Sequence, residues 1–485
     1  MRDDEQNFAG TAQRLSQRIL ASTAATMPDC VFGSADVPKA FLQGLTFDEL
    51  EKLTGEPKKQ IAFTLPKSTA HLLRSLPEFK NFDENTHVLS CLKPGTGCRD
   101  APRAFAIRLS LQLKSLGLRP TLYDPQLMAK HQEGKLVLLL SVHVDDLKFI
   151  GYKADVDLML KSLQETFGDM VVHYNAFTNC GMSHMRLDDG SVQLHQDEYI
   201  RSFKCINADH FRDCKPEDPC SEHLQSLYVS LLGAVAYAGL TQMWILVFTV
   251  ALQRRNKQAT VSDVKRLNAL TRELMRRPQK LHYPNMMPND VLEIYTDSAF
   301  SREGDSAHSL KGLVCLRMGE AKDGTMHCHL LEALSQTHKL VVRSTYAAEL
   351  LAATSGADVG YSIGVTLHEL KHGCLSPASA VHFREKGGLK IKNKLYIDAR
   401  SVYQSVRQEN FRPPSEKSLL GHVQWLREML FTGCLNSISW TDTRDQAADG
   451  MTKGRVDRSA ILQCMGGMYK RDFATEDFTG CAGAQ

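Results

Sequence analysis

Paired cysteines are the first thing this sequence lacks. Its 13 cysteines include no C-x-x-C pair, a scatter that argues against a disulfide framework and fits reduced thiols in the cytosol or nucleus. No basic segment followed by an apolar core and a small-residue cleavage site opens the chain, so no secretory signal is expected. Charge of one sign is missing too, since 58 Lys and Arg nearly balance 55 Asp and Glu for a net charge of +3. Overall attraction to phosphate is therefore weak, and a nucleic-acid partner must be met by basic residues concentrated locally. Long apolar runs are scarce. Residues 233–252, GAVAYAGLTQMWILVFTVAL, are the one candidate for a membrane span, but Thr241, Gln242 and Thr249 interrupt it, which predicts a buried helix and no membrane. What is present is ordinary globular composition, 43% hydrophobic and 23% charged over 485 residues, enough for roughly two to four domains with their own cores.

The most informative stretch is residues 136–152, LVLLLSVHVDDLKFIGY. An aliphatic run, two adjacent acids and a second apolar run predict a β-hairpin with Asp145 and Asp146 at its tip. An acidic turn is the plain reading, because Asp is a common turn residue. Two carboxylates on a buried hairpin, however, repel each other and lose hydration, a cost that a hard divalent cation such as Mg2+ removes. Upstream, VFGSADVPKAFLQG at 31–44 places Asp36 at the end of a short apolar strand, followed by Ala40, Phe41 and Leu42.

The pattern D-V-x-x-A-F-L-x-G followed by an apolar x-V-D-D hairpin resembles the palm of reverse transcriptases from copia-type LTR retrotransposons. Between the two, CLKPGTGCRDAPRAF at 91–105 is similar to that family's G-L-K-Q-x-P-R-A-W segment, with Gly97, Arg99, Pro102 and Arg103 in register. The resemblance implies that Asp36, Asp145 and Asp146 hold Mg2+, with Mn2+ as an alternative, to activate a primer 3′-hydroxyl and stabilise charge on the transferring phosphoryl group. It also implies that Phe41 lies under the nucleotide sugar, and that Gly97 and Arg99 belong to the nucleotide-binding surface. Core packing is the alternative for Phe41. His143 stands where the family usually has Tyr, and Asp100 where it usually has Gln. The family's fingers region, which normally precedes the palm, is expected to be largely absent.

The remaining patterns are local. Residues 13–25 predict a helix leading into the Asp36 strand, 44–90 an irregular connection, 104–118 a helix beneath the palm sheet, and 155–167 an amphipathic helix. QLHQDEYIRSF at 193–203 is similar to the short element that precedes the thumb in the family. Cys205, His210, Cys214, Cys220 and His223 have spacings that fit no usual zinc module. Residues 253–280 carry an apolar stripe at Val264, Leu267, Leu270 and Leu274, with Ser262 as N-cap and Pro278 as stop. The basic face of this helix suits the phosphates of a departing duplex, or simply water.

A second set of acids follows. LEIYTDSAF puts Asp297 on a strand, RSTYAAELLAATSGA puts Glu349 on a helix, KLYIDARSVYQSV puts Asp398 at a strand end, and SWTDTRDQAADGMTKG carries Asp449. This order resembles the RNase H domain that follows reverse transcriptase in the same family. Its terminal motif T-x-x-Q-x-A-D-x-x-T-K is matched by Thr443, Gln446, Ala448, Asp449, Thr452 and Lys453. The resemblance implies that Asp297, Glu349, Asp398 and Asp449 converge on two Mg2+ ions for attack on an RNA phosphodiester. One extra residue separates Thr345 from Glu349 relative to the family, and Ala399 replaces its Asn.

The expected architecture is α/β: a palm over 1–204, thumb and connection helices over 205–290, an RNase H-like domain over 291–460 and a tail over 461–485. The expected function is RNA-directed DNA polymerase with ribonuclease H activity, acting on RNA template, DNA primer, dNTPs and RNA/DNA hybrid in the cytoplasm or nucleus. The alternative is a retrotransposon-derived remnant that folds and binds nucleic acid without catalysis.

Overall fold

The aliphatic hairpin forms as its pattern requires, with one change at the tip. In the computed structural model, which describes residues 9–300, 309–408, 413, 414 and 416–480, strand Lys135–His143 pairs antiparallel with Asp146–Gly151, which pairs in turn with Val31–Asp36. Only Val144 and Asp145 make the turn. Asp146 already sits in the ladder, opposite His143 on one side and Asp36 on the other. The bend needs Val144 at φ 61°, a left-handed conformation that β-branched residues rarely adopt.

The sheet built on this hairpin runs Arg119–Pro120, Leu127–Gln132, Lys135–His143, Asp146–Gly151, Val31–Asp36, Val171–Tyr174. Both of its faces are covered, which is why the hairpin reads as a continuous apolar run rather than an alternating one. Leu138, Leu140 and Phe149 pack with helices Ala101–Ser115 and Lys153–Phe167, whereas Leu139 and Ile150 join the core containing helix Arg14–Thr26. The first of these helices buries Phe105, Leu109 and Leu113, every fourth residue, and leaves Leu111 44% exposed. Its alternating sequence is therefore only half core, because helical period and not alternation selects the buried face.

Three other expectations change. The connection over 44–90 is not wholly irregular: it contains helices Phe47–Thr54 and Lys67–Leu73 and a small sheet of Ala62–Phe63 with Leu89–Ser90. The apolar run 233–252 is not one helix. It breaks between Glu222–Ala238 and Leu246–Gln253, where Thr241 donates to Gln196 Oε1 at 3.0 Å and Gln242 Oε1 accepts from Gln279 N at 2.8 Å and from Trp244 Nε1 at 3.2 Å. These buried polar side chains find partners only in a non-helical turn. Among the described residues no helix is long and apolar enough to cross a membrane. The basic helix spans Val261–Arg276 and buries the predicted stripe, but its N-cap is Thr260, which forms a capping box with Asp263, and not Ser262.

The whole is a mixed α/β protein, with 15 α-helices among the described residues. A four-stranded sheet orders Leu281–Tyr283, Val192–His195, Met182–Arg186 and Ala176–Asn179, so residues far apart in the chain share it. The third sheet orders Met326–Thr337, Leu310–Glu320, Met287–Ala299, Lys392–Ile397, Ser437–Thr441 and Thr475–Phe478. Its first three strands are antiparallel, the next two run parallel to Met287–Ala299, and the last is antiparallel again. That last strand comes from the segment expected to be a tail. One buried apolar cluster runs from helix Arg14–Thr26 through this sheet to Tyr469.

Helix Thr345–His372 lies unusually close on the sheet. A Cβ at Gly360 would stand 2.1 Å from Ile294 Cδ1, and one at Gly356 2.2 Å from Thr296 Cγ2. Gly360→Val is expected to lose about 1–3 kcal/mol through overpacking, read as a lower denaturant midpoint. An unchanged midpoint would contradict this close-packing account.

Candidate acidic metal centre

Parallel neighbours end at the same edge of a sheet, and that edge gathers the acids. Asp297 lies two residues from the end of Met287–Ala299, and Asp398 directly follows Lys392–Ile397, its parallel neighbour. Helix Thr345–His372 starts at the same edge, N-capped by Ser344, whose side chain accepts from Ala347 N. Glu349, one turn in, thereby faces both aspartates. Asp297, Glu349 and Asp398 each offer one oxygen, all within 4.8 Å of one another. Asp297 is 1% and Glu349 8% exposed. Three carboxylate oxygens without Cys or His form a hard donor set, the kind that takes Mg2+ or Mn2+.

Asp449 does not complete a four-carboxylate cluster as expected. It begins the short helix Asp449–Thr452, and its Oδ1 accepts from Lys453 Nζ at 2.7 Å. Lys453 also reaches Asp297 Oδ1 at 3.3 Å, while Thr452 Oγ1 donates to the other oxygen of Asp297. This helix can sit against the Asp297 strand pair because Gly312, the register partner of Asp297, has no Cβ: one there would stand 2.8 Å from Met451 Cβ and 2.9 Å from Ala448 O. Gln446 Nε2 anchors the preceding loop on Thr296 O at 3.1 Å. Thr443 Oγ1 donates to Asp398 Oδ2 at 3.0 Å. Letter matching picked out Thr443, Gln446, Thr452 and Lys453 in the sequence without indicating what any of them does. Gly312 carried no signal at all.

Electrostatics follow the crowding. Burial, then Asp297 and Asp398, pushes the Glu349 carboxyl up to about 9. Burial and Asp297 likewise raise Asp398, against the Thr443 hydrogen bond and Lys453. Asp449 is raised to about 7 by burial and Asp297, with Lys453 pulling the other way. Stability should respond with a defined sign. Between its ordinary value of 4.5 and about 9, Glu349 keeps a proton in the folded chain that the unfolded chain has released, so the native state binds more protons and raising pH through this window favours unfolding. In chelator, the thermal midpoint is expected to fall across that window more steeply for the unaltered chain than for Glu349→Gln, and saturating Mg2+ should reduce the fall. Parallel pH profiles with and without Glu349 would refute it.

The hairpin acids are arranged less tightly. Asp36 and Asp146 are cross-strand partners, and Val37 N bonds Asp145 O at 3.2 Å, which ties the turn to the Asp36 strand. Burial and Asp145 raise the Asp36 carboxyl; burial, Asp145 and Asp36 raise that of Asp146. Among the described residues, however, these three do not form a group that shares a centre as the Asp297 set does. Phe41 is partly buried in a single turn, Ala40–Leu42, entered through Lys39 at φ 52°. Gly97 and Arg99 are exposed in the loop before helix Ala101–Ser115. Cys205, His210, Cys214, Cys220 and His223 do not gather as a metal site among the described residues.

Compared with known proteins, the chain matches no family model and no curated protein.

Proposed function

We propose that the chain is a metal-dependent phosphodiesterase of the ribonuclease H type, cleaving the RNA strand of an RNA/DNA hybrid, and that it derives from a copia-type reverse transcriptase. The observation that carries this reading is the convergence of Asp297, Glu349 and Asp398, from two parallel strands and a helix, within 4.8 Å. The parallel pairing of the Asp297 and Asp398 strands inside a six-stranded mixed sheet supports this reading. Asp297, Glu349 and Asp398 would hold Mg2+, which supplies positive charge against the developing phosphorane and makes water more acidic. The chain's own residues set the geometry. Thr443 keeps one Asp398 oxygen fixed, Thr452 and Lys453 fix both oxygens of Asp297, and burial with neighbouring carboxylates disfavours the charged forms of Glu349 and Asp398.

The test is cleavage of a uniformly labelled RNA/DNA hybrid by the full chain. Product in Mg2+ and none in chelator is the expected result, with single-stranded RNA left intact. No cleavage in Mg2+ or Mn2+ would remove the ribonuclease reading.

A second activity, RNA-directed DNA synthesis at Asp36, Asp145 and Asp146, is favoured by the Asp36 to Asp146 pairing in adjacent strands. Primer extension on an RNA template with dNTPs is expected to be Mg2+-dependent and lost in Asp145→Asn. Extension that survives this substitution would exclude the hairpin as its site.

A further inference from the structure

We infer that Lys453 is a built-in cation that takes the place of a second divalent ion, so that the acidic centre binds one metal and not two. This rests on the metal-centre reading above and goes beyond it. The Lys453 ammonium lies between Asp449 Oδ1 at 2.7 Å and Asp297 Oδ1 at 3.3 Å. A second ion held between Asp297 and Asp449 would meet the ammonium already lying there. The other Asp297 oxygen accepts from Thr452. The segment 449–453 therefore engages both oxygens of the acid that two metals would have to share.

The placement is fixed by the backbone. Asp449 and Lys453 are four residues apart across a single helical turn, a spacing that brings their side chains together. Gly312 lets that turn lie directly against the Asp297 strand pair. Lys453 is about one-third exposed on its side chain, while Asp297 beneath it is nearly inaccessible. The ammonium thus lies on the Asp449 side of Asp297, paired with these two acids and with neither Glu349 nor Asp398 among the described ion pairs. Charge counting agrees. With all four carboxylates ionised, Lys453 and one divalent ion leave a single negative charge. A second divalent ion would sit beside the ammonium and repel it. In this arrangement Lys453 is a positioning residue: it pairs with both Asp297 and Asp449 and holds the Asp297 carboxylate in its orientation within the triad.

The experiment counts bound Mn2+ by electron paramagnetic resonance, in the full chain carrying Asp145→Asn and Asp146→Asn so that hairpin acids do not contribute. With Lys453 present, one tightly bound Mn2+ per chain is expected, with an uncoupled signal even in excess metal. Lys453→Met is expected to bind two, with the spin coupling of ions about 3.5–4 Å apart. Lys453→Arg should restore one. Two coupled ions in the Lys453 chain, or one in both chains, would overturn the inference, and the first of these needs no variant at that position. Absence of any bound Mn2+ would overturn it together with the metal centre. A change from one to two in a chain that cleaves no hybrid would uphold it while removing the nuclease reading.

Discussion

Asp398→Asn is expected to lower cleavage of the RNA strand of a hybrid by about a thousandfold, about 4 kcal/mol in the barrier. The size follows from where Asp398 stands. It provides one of three oxygens in the triad, is held by Thr443 at 3.0 Å through one carboxylate oxygen, and its main-chain oxygen accepts from Trp440 Nε1 at 2.9 Å. An amide in its place keeps the shape and these anchors but removes a negative charge and offers a poorer ligand. Hybrid binding should change little, because the loss falls on charge stabilised in the transition state. Asp145→Asn, at the other set of acids, should leave cleavage unchanged. Cleavage by Asp398→Asn at the parent rate would remove this edge of the sheet from consideration.

Arg18→Met is expected to destabilise the folded chain by about 3–5 kcal/mol, whereas Arg18→Met with Glu332→Leu recovers most of that loss. Arg18 and Glu332 form an ion pair of 2.7 Å with side chains 3% and 9% exposed. Arg18 lies on the helix that leads into the Asp36 strand, and Glu332 lies in the third sheet, so the pair joins the two acid-bearing halves of the chain. Removing the guanidinium alone leaves a carboxylate buried without its counter-charge. Removing both leaves an apolar contact. Around it, Ser22 bonds His329 Nδ1 at 2.8 Å and His329 Nε2 bonds Pro284 O at 2.7 Å, extending the polar seam between the halves. Urea unfolding at constant m-value measures the cycle. Equal losses in the single and double variants would mean that the stability lies in the packing and not in the pairing.

Much of the local structure was written in nearest-neighbour terms. The aliphatic hairpin, the helix at Lys153–Phe167, the stripe of Val264, Leu267, Leu270 and Leu274, and the acids at strand ends all follow from periodicity and from residues a few positions away. Errors arose where a buried partner came from afar. Residues 233–252 looked continuous until Gln196 and Gln279 engaged Thr241 and Gln242. The helix cap moved to Thr260 because Asp263 answers it, a pairing the sequence contains but does not rank above Ser262.

What the sequence by itself determined is which residues are acidic and which elements carry them, because helix and strand periods depend on short stretches of chain. Only the tertiary structure decided which acids meet. Parallel pairing of Met287–Ala299 with Lys392–Ile397 brings Asp297 to Asp398, the glycine-faced helix brings Glu349 to both, and Lys453 links Asp449 to Asp297. Convergence depends on strand order and on how closely elements pack, and both are properties of contacts between residues a hundred positions apart.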